Sequence, residues 1–208
     1  MLDDTNSKER FIFRNGTIIT DMRRYMVHLR NTSYSPKDAG VLLKKARSIG
    51  ERDGLVVRDA RVSTKHIEYD ISIPDGFSEK TVIALLESIS PIASFEQVVE
   101  RHITKDKAIS LAIQSFNEEK YWNAHELLEG VWKSSTGMER NILNGIILVA
   151  AAFVHDEKDE PGICISILKR ALAKLEGAPE TYAGIDIARL ARNALQIIKS
   201  GKITRFTI

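Results

Sequence analysis

Cysteine is almost missing from this 208-residue sequence: Cys164 stands alone. One thiol excludes an intramolecular disulfide and a thiolate metal cluster. Flanked by Ile163 and Ile165 in an amphipathic segment, it reads as a small core residue rather than a nucleophile. Charge of one sign is missing too, with 30 Lys and Arg against 28 Asp and Glu. So even a balance argues against a surface given over wholly to nucleic acid. Long apolar runs are lacking. The most apolar stretch, Ile142 to Val154, contains Asn144 and is too short to span a bilayer. The opening residues, Met1-Leu2-Asp3-Asp4, are acidic and offer no apolar signal segment. These absences lead to the expectation of a cytoplasmic protein with no membrane partner, built as one large or two small domains.

What is present falls into two halves of different character. Asn15-Gly16 between Phe11-Ile12-Phe13 and Thr17-Ile18-Ile19 predicts an N-terminal hairpin. Alternation of Tyr25, Val27 and Leu29 predicts a strand over 22–30. Ser35-Pro36 then opens a helix carrying Val41, Leu42, Leu43, Ala46 and Ile49. Two alternating stretches, 55–63 and 66–73, predict an antiparallel pair. A second helix runs from Ser78 through Leu86, and a last strand covers 94–100. The order β-α-β-β-α-β predicts an α+β, ferredoxin-like domain over 1–102, with two helices on one sheet face.

After His102 only helical patterns remain. They begin at Thr104, at the tryptophan-rich stretch, at Met138, at Pro161 and at Ile185, which predicts an all-α bundle of about five helices over 103–208. The segment from Met138 to His155 is apolar on every side, so it belongs in the middle of its domain. Gly145 inside that helix costs about 1 kcal/mol relative to Ala, and close approach of a neighbour is the expected reason.

The stretch richest in chemical groups is Phe116 to Trp132. It gathers a histidine, several carboxylates and both tryptophans onto about five helical turns. On a helical wheel Ala124, Leu127, Leu128 and Val131 form an apolar stripe. Trp122, His125, Glu126 and Glu129 gather opposite, with Tyr121 and Trp132 on the border. His125 and Glu129, four apart, sit one turn from each other and are placed to share a divalent metal or a proton. The plainer alternative is a solvated polar face, or a hydrogen-bonded knot tying neighbouring helices.

The pattern Phe-Asn-x3-Tyr-Trp-x-Ala-His-Glu-x2-Glu-x2-Trp, followed by Leu143-Asn144-Gly145-Ile146-Ile147, Ala150-Ala151-Ala152 and His155, resembles the family catalogued as domain of unknown function 309. The resemblance covers roughly the last half of the chain. It implies a small helical bundle and a metal-dependent hydrolase, and it points to His125, Glu126, Glu129, Trp132, Gly145 and His155. Two departures stand out: Leu148 occupies a place where the family often has Gln, and in 157–162 only Gly162 clearly matches.

Two functional readings follow. In the first, His125, Glu129 and His155 hold a divalent metal, Glu126 and His125 are the catalytic pair, and Tyr121, Trp122 and Trp132 line a pocket for a small molecule. In the second, the cluster is structural and the protein is a binding module. Between Lys8 and Lys65 there are fourteen Lys or Arg against six Asp or Glu, so a basic sheet that binds nucleic acid is one form of this reading. Small-ligand sensing or assembly of a homo-oligomer through the sheet are others.

Overall fold

The computed structural model describes residues 22–51, 54–99 and 103–208. The chain divides into two compact units, Met1–Glu100 and Arg101–Ile208. The hairpin expected at 11–20 and the expected division at His102 lie outside the described residues.

The N-terminal unit is built from β1 (Met22–Arg30), a 3-10 turn (Pro36–Asp38), α1 (Ala39–Gly50), β2 (Val56–Val62), β3 (His66–Pro74), α2 (Glu79–Glu87) and β4 (Ile92–Gln97). Among the described residues, four strands form one antiparallel sheet in the order β2-β3-β1-β4. Ser35 starts the first helical segment as expected. Its backbone N–H and its hydroxyl both donate to the Asp38 carboxylate, at 2.8 and 3.0 Å. That clamp holds Asp38 below the usual carboxylate range.

Register decides what each sheet face carries. Tyr25, Val27 and Leu29 of β1 lie across from Ile71, Tyr69 and Ile67 of β3. Successive side chains of a strand point to opposite faces, so these six share one face. They form a core with Ala39, Leu42 and Ala46 of α1 and Val82 and Leu86 of α2. The same register puts His28 opposite Glu68, and Met26 opposite Asp70, on the other face. That face is polar, yet His28, Glu68, Asp70 and Ser72 are buried.

The C-terminal unit is helical: α3 (Lys105–Asn117), α4 (Tyr121–Lys133), α5 (Gly137–Asp156), α6 (Pro161–Leu175) and α7 (Ile187–Ser200). A two-residue hairpin, β5 (Thr181–Tyr182) and β6 (Ile185–Asp186), precedes α7. α5 is the central helix, packed on both α4 and α6, with nine of its residues buried. At 20 residues it is long and apolar enough to cross a membrane by length and composition. In this fold those apolar groups are the bundle core.

Gly145 answers the expectation of a close neighbour. A Cβ built there would lie 2.6 Å from Leu175 Cγ and 3.4 Å from the Ala171 carbonyl oxygen. α5 and α6 can approach this closely because the side chain is missing. Thr136-Gly137-Met138-Glu139 at the start of α5 has the spacing of a capping box but does not form one. Gly137 takes a positive φ of 58°, and no side chain caps the helix. Glu139 accepts instead from Lys105 Nζ and from the Tyr182 hydroxyl, at 3.0 Å for the latter, joining α5 to α3 and β5.

Candidate functional site

α4 begins where α3 is brought to a stop. Glu119 adopts a left-handed φ of 63°, and the Lys120 N–H returns to the Ser115 carbonyl at 2.8 Å. The new helix then buries Tyr121, Ala124, Leu128 and Val131, spaced three and four apart. Fixing that face turns His125, Glu126 and Glu129 toward the rim. Their side chains are 28%, 47% and 36% exposed.

The three groups converge. His125 Nδ1 lies 3.3 Å from Glu126 Oε1 and 3.9 Å from Glu129 Oε2. One ligand atom from each residue falls within 4.8 Å of the others. A tetrahedral zinc ion bound at about 2.0–2.2 Å separates its ligand atoms by about 3.3 Å, so little rearrangement is needed to seat one. Lys133 Nζ stands 3.8 Å from Glu129 Oε1, a partial competitor for that carboxylate. The donor set of one imidazole and two carboxylates fits a divalent ion with positions left open to water.

The other expected site residues are placed differently. His155, at the end of α5, has its Nδ1 2.5 Å from Glu160 Oε2, across the turn into α6. It is outside the group that gathers around His125. Tyr121 lies in an aromatic core, stacked on Phe153 at 4.8 Å and edge-on to Phe116 at 5.0 Å. Burial pushes its hydroxyl far above the usual tyrosine range. Trp132 is covered by the Arg140 guanidinium, 3.9 Å above its ring, and Trp122 is half-buried. His125, Glu126 and Glu129 are therefore brought together. His155, Tyr121 and Trp132 serve other contacts.

Three partners have no expectation behind them: Glu160 on His155, Arg140 on Trp132, and Arg205 on Asp156 at 2.6 Å. The Arg205 guanidinium also lies 5.1 Å from the Phe153 ring centroid. Alternating Phe206 and Ile208 after Gly201 is the only sequence signal that this segment packs on the bundle. Burial leaves Asp156 above its usual pKa despite that partner.

Much of the basic excess of the first half is engaged internally. Arg24 is bidentate on Asp70 at 2.9 and 2.6 Å. Arg23 reaches Glu79 at 3.0 Å, Arg61 reaches Asp59 and Glu68, and Arg47 bonds to the carbonyls of Val57 and Arg58.

The C-terminal unit is thus a small helical bundle with a His-Glu-x2-Glu turn at its rim. Residues 109–166, in the C-terminal half, match the family described as Domain of unknown function (DUF309). Among solved structures the chain is similar to a conserved hypothetical protein, TTHA0068, from Thermus thermophilus. That match has 33% identity, covers 43% of this chain and 94% of that one, and has a TM-score of 0.39. No curated protein matches the chain.

Proposed function

We propose that the C-terminal unit binds a divalent metal ion at the rim of α4 and that the protein is a metal-dependent hydrolase. The observation that carries this reading is the convergence of His125, Glu126 and Glu129 within 4.8 Å while each stays partly open to solvent. His125 and Glu129 would hold the ion. A bound zinc or manganese ion supplies Lewis acidity and lowers the pKa of a coordinated water. Glu126, the most exposed of the three side chains, would serve as the general base, with its carboxylate accepting a proton from the attacking water. His155 lies outside the group around His125, with its Nδ1 2.5 Å from Glu160 Oε2, so it is left out of this reading.

A structural knot is the less favoured reading. His125 and both of its carboxylate neighbours lie on one helix and are partly solvated, so they relieve no buried orphan group. In the N-terminal unit, the sheet order β2-β3-β1-β4 with a helix after β1 and another after β3 supports a ferredoxin-like domain. The hydrolase reading is tested with activated esters and phosphodiesters as probes, using protein stripped and then reloaded with zinc or manganese. Turnover that needs the metal and falls by about a hundredfold or more in Glu126→Gln is the expected result. Equal rates in stripped, reloaded and substituted protein would contradict it.

A further inference from the structure

The polar face of the N-terminal sheet holds a second convergence of ligand atoms, and it is of a different kind. His28 on β1 is paired directly across the ladder with Glu68 on β3, and His66 lies across from Arg30, the next residue of β1 on the same face. Glu68 is also the cross-strand partner of Arg61 on β2. These groups are among the least exposed in the protein: His28 is 1% exposed, Glu68 2% and His66 6%. Imidazole and carboxylate are rarely buried without a purpose, since each loses its hydration.

Each of the two best-placed donors has one atom held from behind, and their other atoms face each other across a hydrogen bond that an ion would replace. His28 Nδ1 is 2.9 Å from Ser94 Oγ on β4, while Nε2 is 2.8 Å from Glu68 Oε2. Arg61 Nε donates to the other Glu68 oxygen, Oε1. The His66 ring meets the His28 ring edge-on, with centroids 4.7 Å apart. One ligand atom from each of His28, His66 and Glu68 lies within 4.8 Å of the other two.

From this geometry we infer that His28, His66 and Glu68 form a buried site for a first-row divalent transition ion of the zinc or iron(II) class. Two imidazoles and one carboxylate are the donors such ions favour, whereas calcium and magnesium call for oxygen ligands throughout. The contacts behind the donors fit the same reading. With His28 Nε2 on an ion, Nδ1–H donates to Ser94, which sets the tautomer and the ring plane. With Glu68 Oε2 on the ion, Oε1 remains occupied by Arg61. An ion here would tie β1 to β3 in the middle of the sheet. The inference stands apart from the hydrolase reading, which concerns another unit and other residues.

The competing account is a protonated His28 in an ion pair with Glu68, and the test separates the two. The full chain carrying both His125→Ala and Glu129→Ala is stripped with chelator, exposed to Co²⁺ or Zn²⁺, and desalted. Removing the α4 donors keeps that cluster out of the result. The expected outcome is one equivalent of retained ion, with visible d–d absorption for cobalt, and loss of both when His66→Ala is added. Should His66→Ala fail to fold, Ser94→Ala keeps all three ligands. It should weaken Co²⁺ binding about tenfold or more while leaving the absorption band in place. No retained ion in the double variant would overturn the inference, as would retention unaffected by His66→Ala or, in its place, a Co²⁺ dissociation constant unchanged by Ser94→Ala. A nitrogen-resolved NMR spectrum showing protons on both His28 nitrogens in metal-exposed protein would overturn it in favour of the ion pair.

Discussion

Asn117 grips Ile208 with both ends of its side-chain amide. Its Nδ2 donates to the Ile208 carbonyl at 3.2 Å, and its Oδ1 accepts the Ile208 N–H at 2.9 Å. The pairing imitates one rung of a β-ladder and ties the segment after α7 to the end of α3. Between those anchors, Phe206 meets Phe116 at 5.9 Å and Phe153 at 5.3 Å, and Arg205 bonds to Asp156. Asn117→Ala leaves the Ile208 amide without this partner and should destabilise the bundle by about 1–3 kcal/mol. Both tryptophans lie on α4, so fluorescence-monitored urea denaturation reads this unit directly. An unchanged midpoint would show that the clamp contributes nothing.

Gly145→Ala sets two effects against each other. Alanine gains about 1 kcal/mol of helix propensity over glycine. Its methyl group must also displace Leu175, whose Cγ lies only 2.6 Å from the added atom. Cγ is the branch point of that side chain, so relief requires the whole side chain or α6 to shift. Overpacking of this kind costs about 1–3 kcal/mol, and a net loss is expected. Adding Leu175→Ala should recover part of it in a double-mutant cycle. A more stable Gly145→Ala protein would contradict the close approach of α5 and α6.

Glu139 predicts an acid dependence. Hydrogen bonds from Lys105 and Tyr182 favour its charged form and hold its pKa below the usual glutamate value. For a carboxyl depressed on folding, the stabilisation is present above the unfolded pKa of about 4.3 and fades as pH falls through the folded value. Bundle stability should therefore decline on acidification below about pH 4.5, and less steeply in Glu139→Gln. Parallel pH profiles for the two proteins would sink this assignment.

Cys164 should be inert in the folded protein. It is fully buried, and desolvation pushes its thiol up to about 12, so no reactive thiolate forms near neutral pH. A chromogenic disulfide reagent should label it only as fast as the bundle opens, and at once in denaturant. Rapid labelling of native protein would place the thiol at the surface.

How legible these features are in sequence depends on how local their causes are. The strand over 22–30 coincides with β1 because alternation and its bounding residues are contained in the segment. The five helices are readable for the same reason, from periodic apolar positions and from Pro161 and Gly201 at their ends. Gly145 is readable because a glycine inside an apolar helix needs a packing reason. The convergence of His125 with Glu129 follows from helical spacing alone.

Cross-strand and cross-turn partners are not readable this way. His28, Glu68 and Arg61 look like ordinary outward-facing strand residues until register sets them side by side. The pairing of His155 with Glu160 depends on Asp159 taking a φ of 62°, which turns the chain back after α5. Glu139 has the spacing of a capping box but is recruited by Lys105 and Tyr182, residues 34 and 43 positions away. These placements depend on tertiary contacts, which a periodic pattern does not encode.

The most direct test of the central claim is zinc uptake at the α4 cluster, counted by elemental analysis after desalting. His125→Ala and Glu129→Ala should each retain one equivalent fewer than the unmutated full chain while keeping their helical signal. The zinc-induced rise in bundle melting temperature should vanish in both, since an ion that binds only the native state stabilises it by mass action. Equal zinc content in all three proteins, with the same melting shift, would contradict the claim that His125 and Glu129 hold a metal.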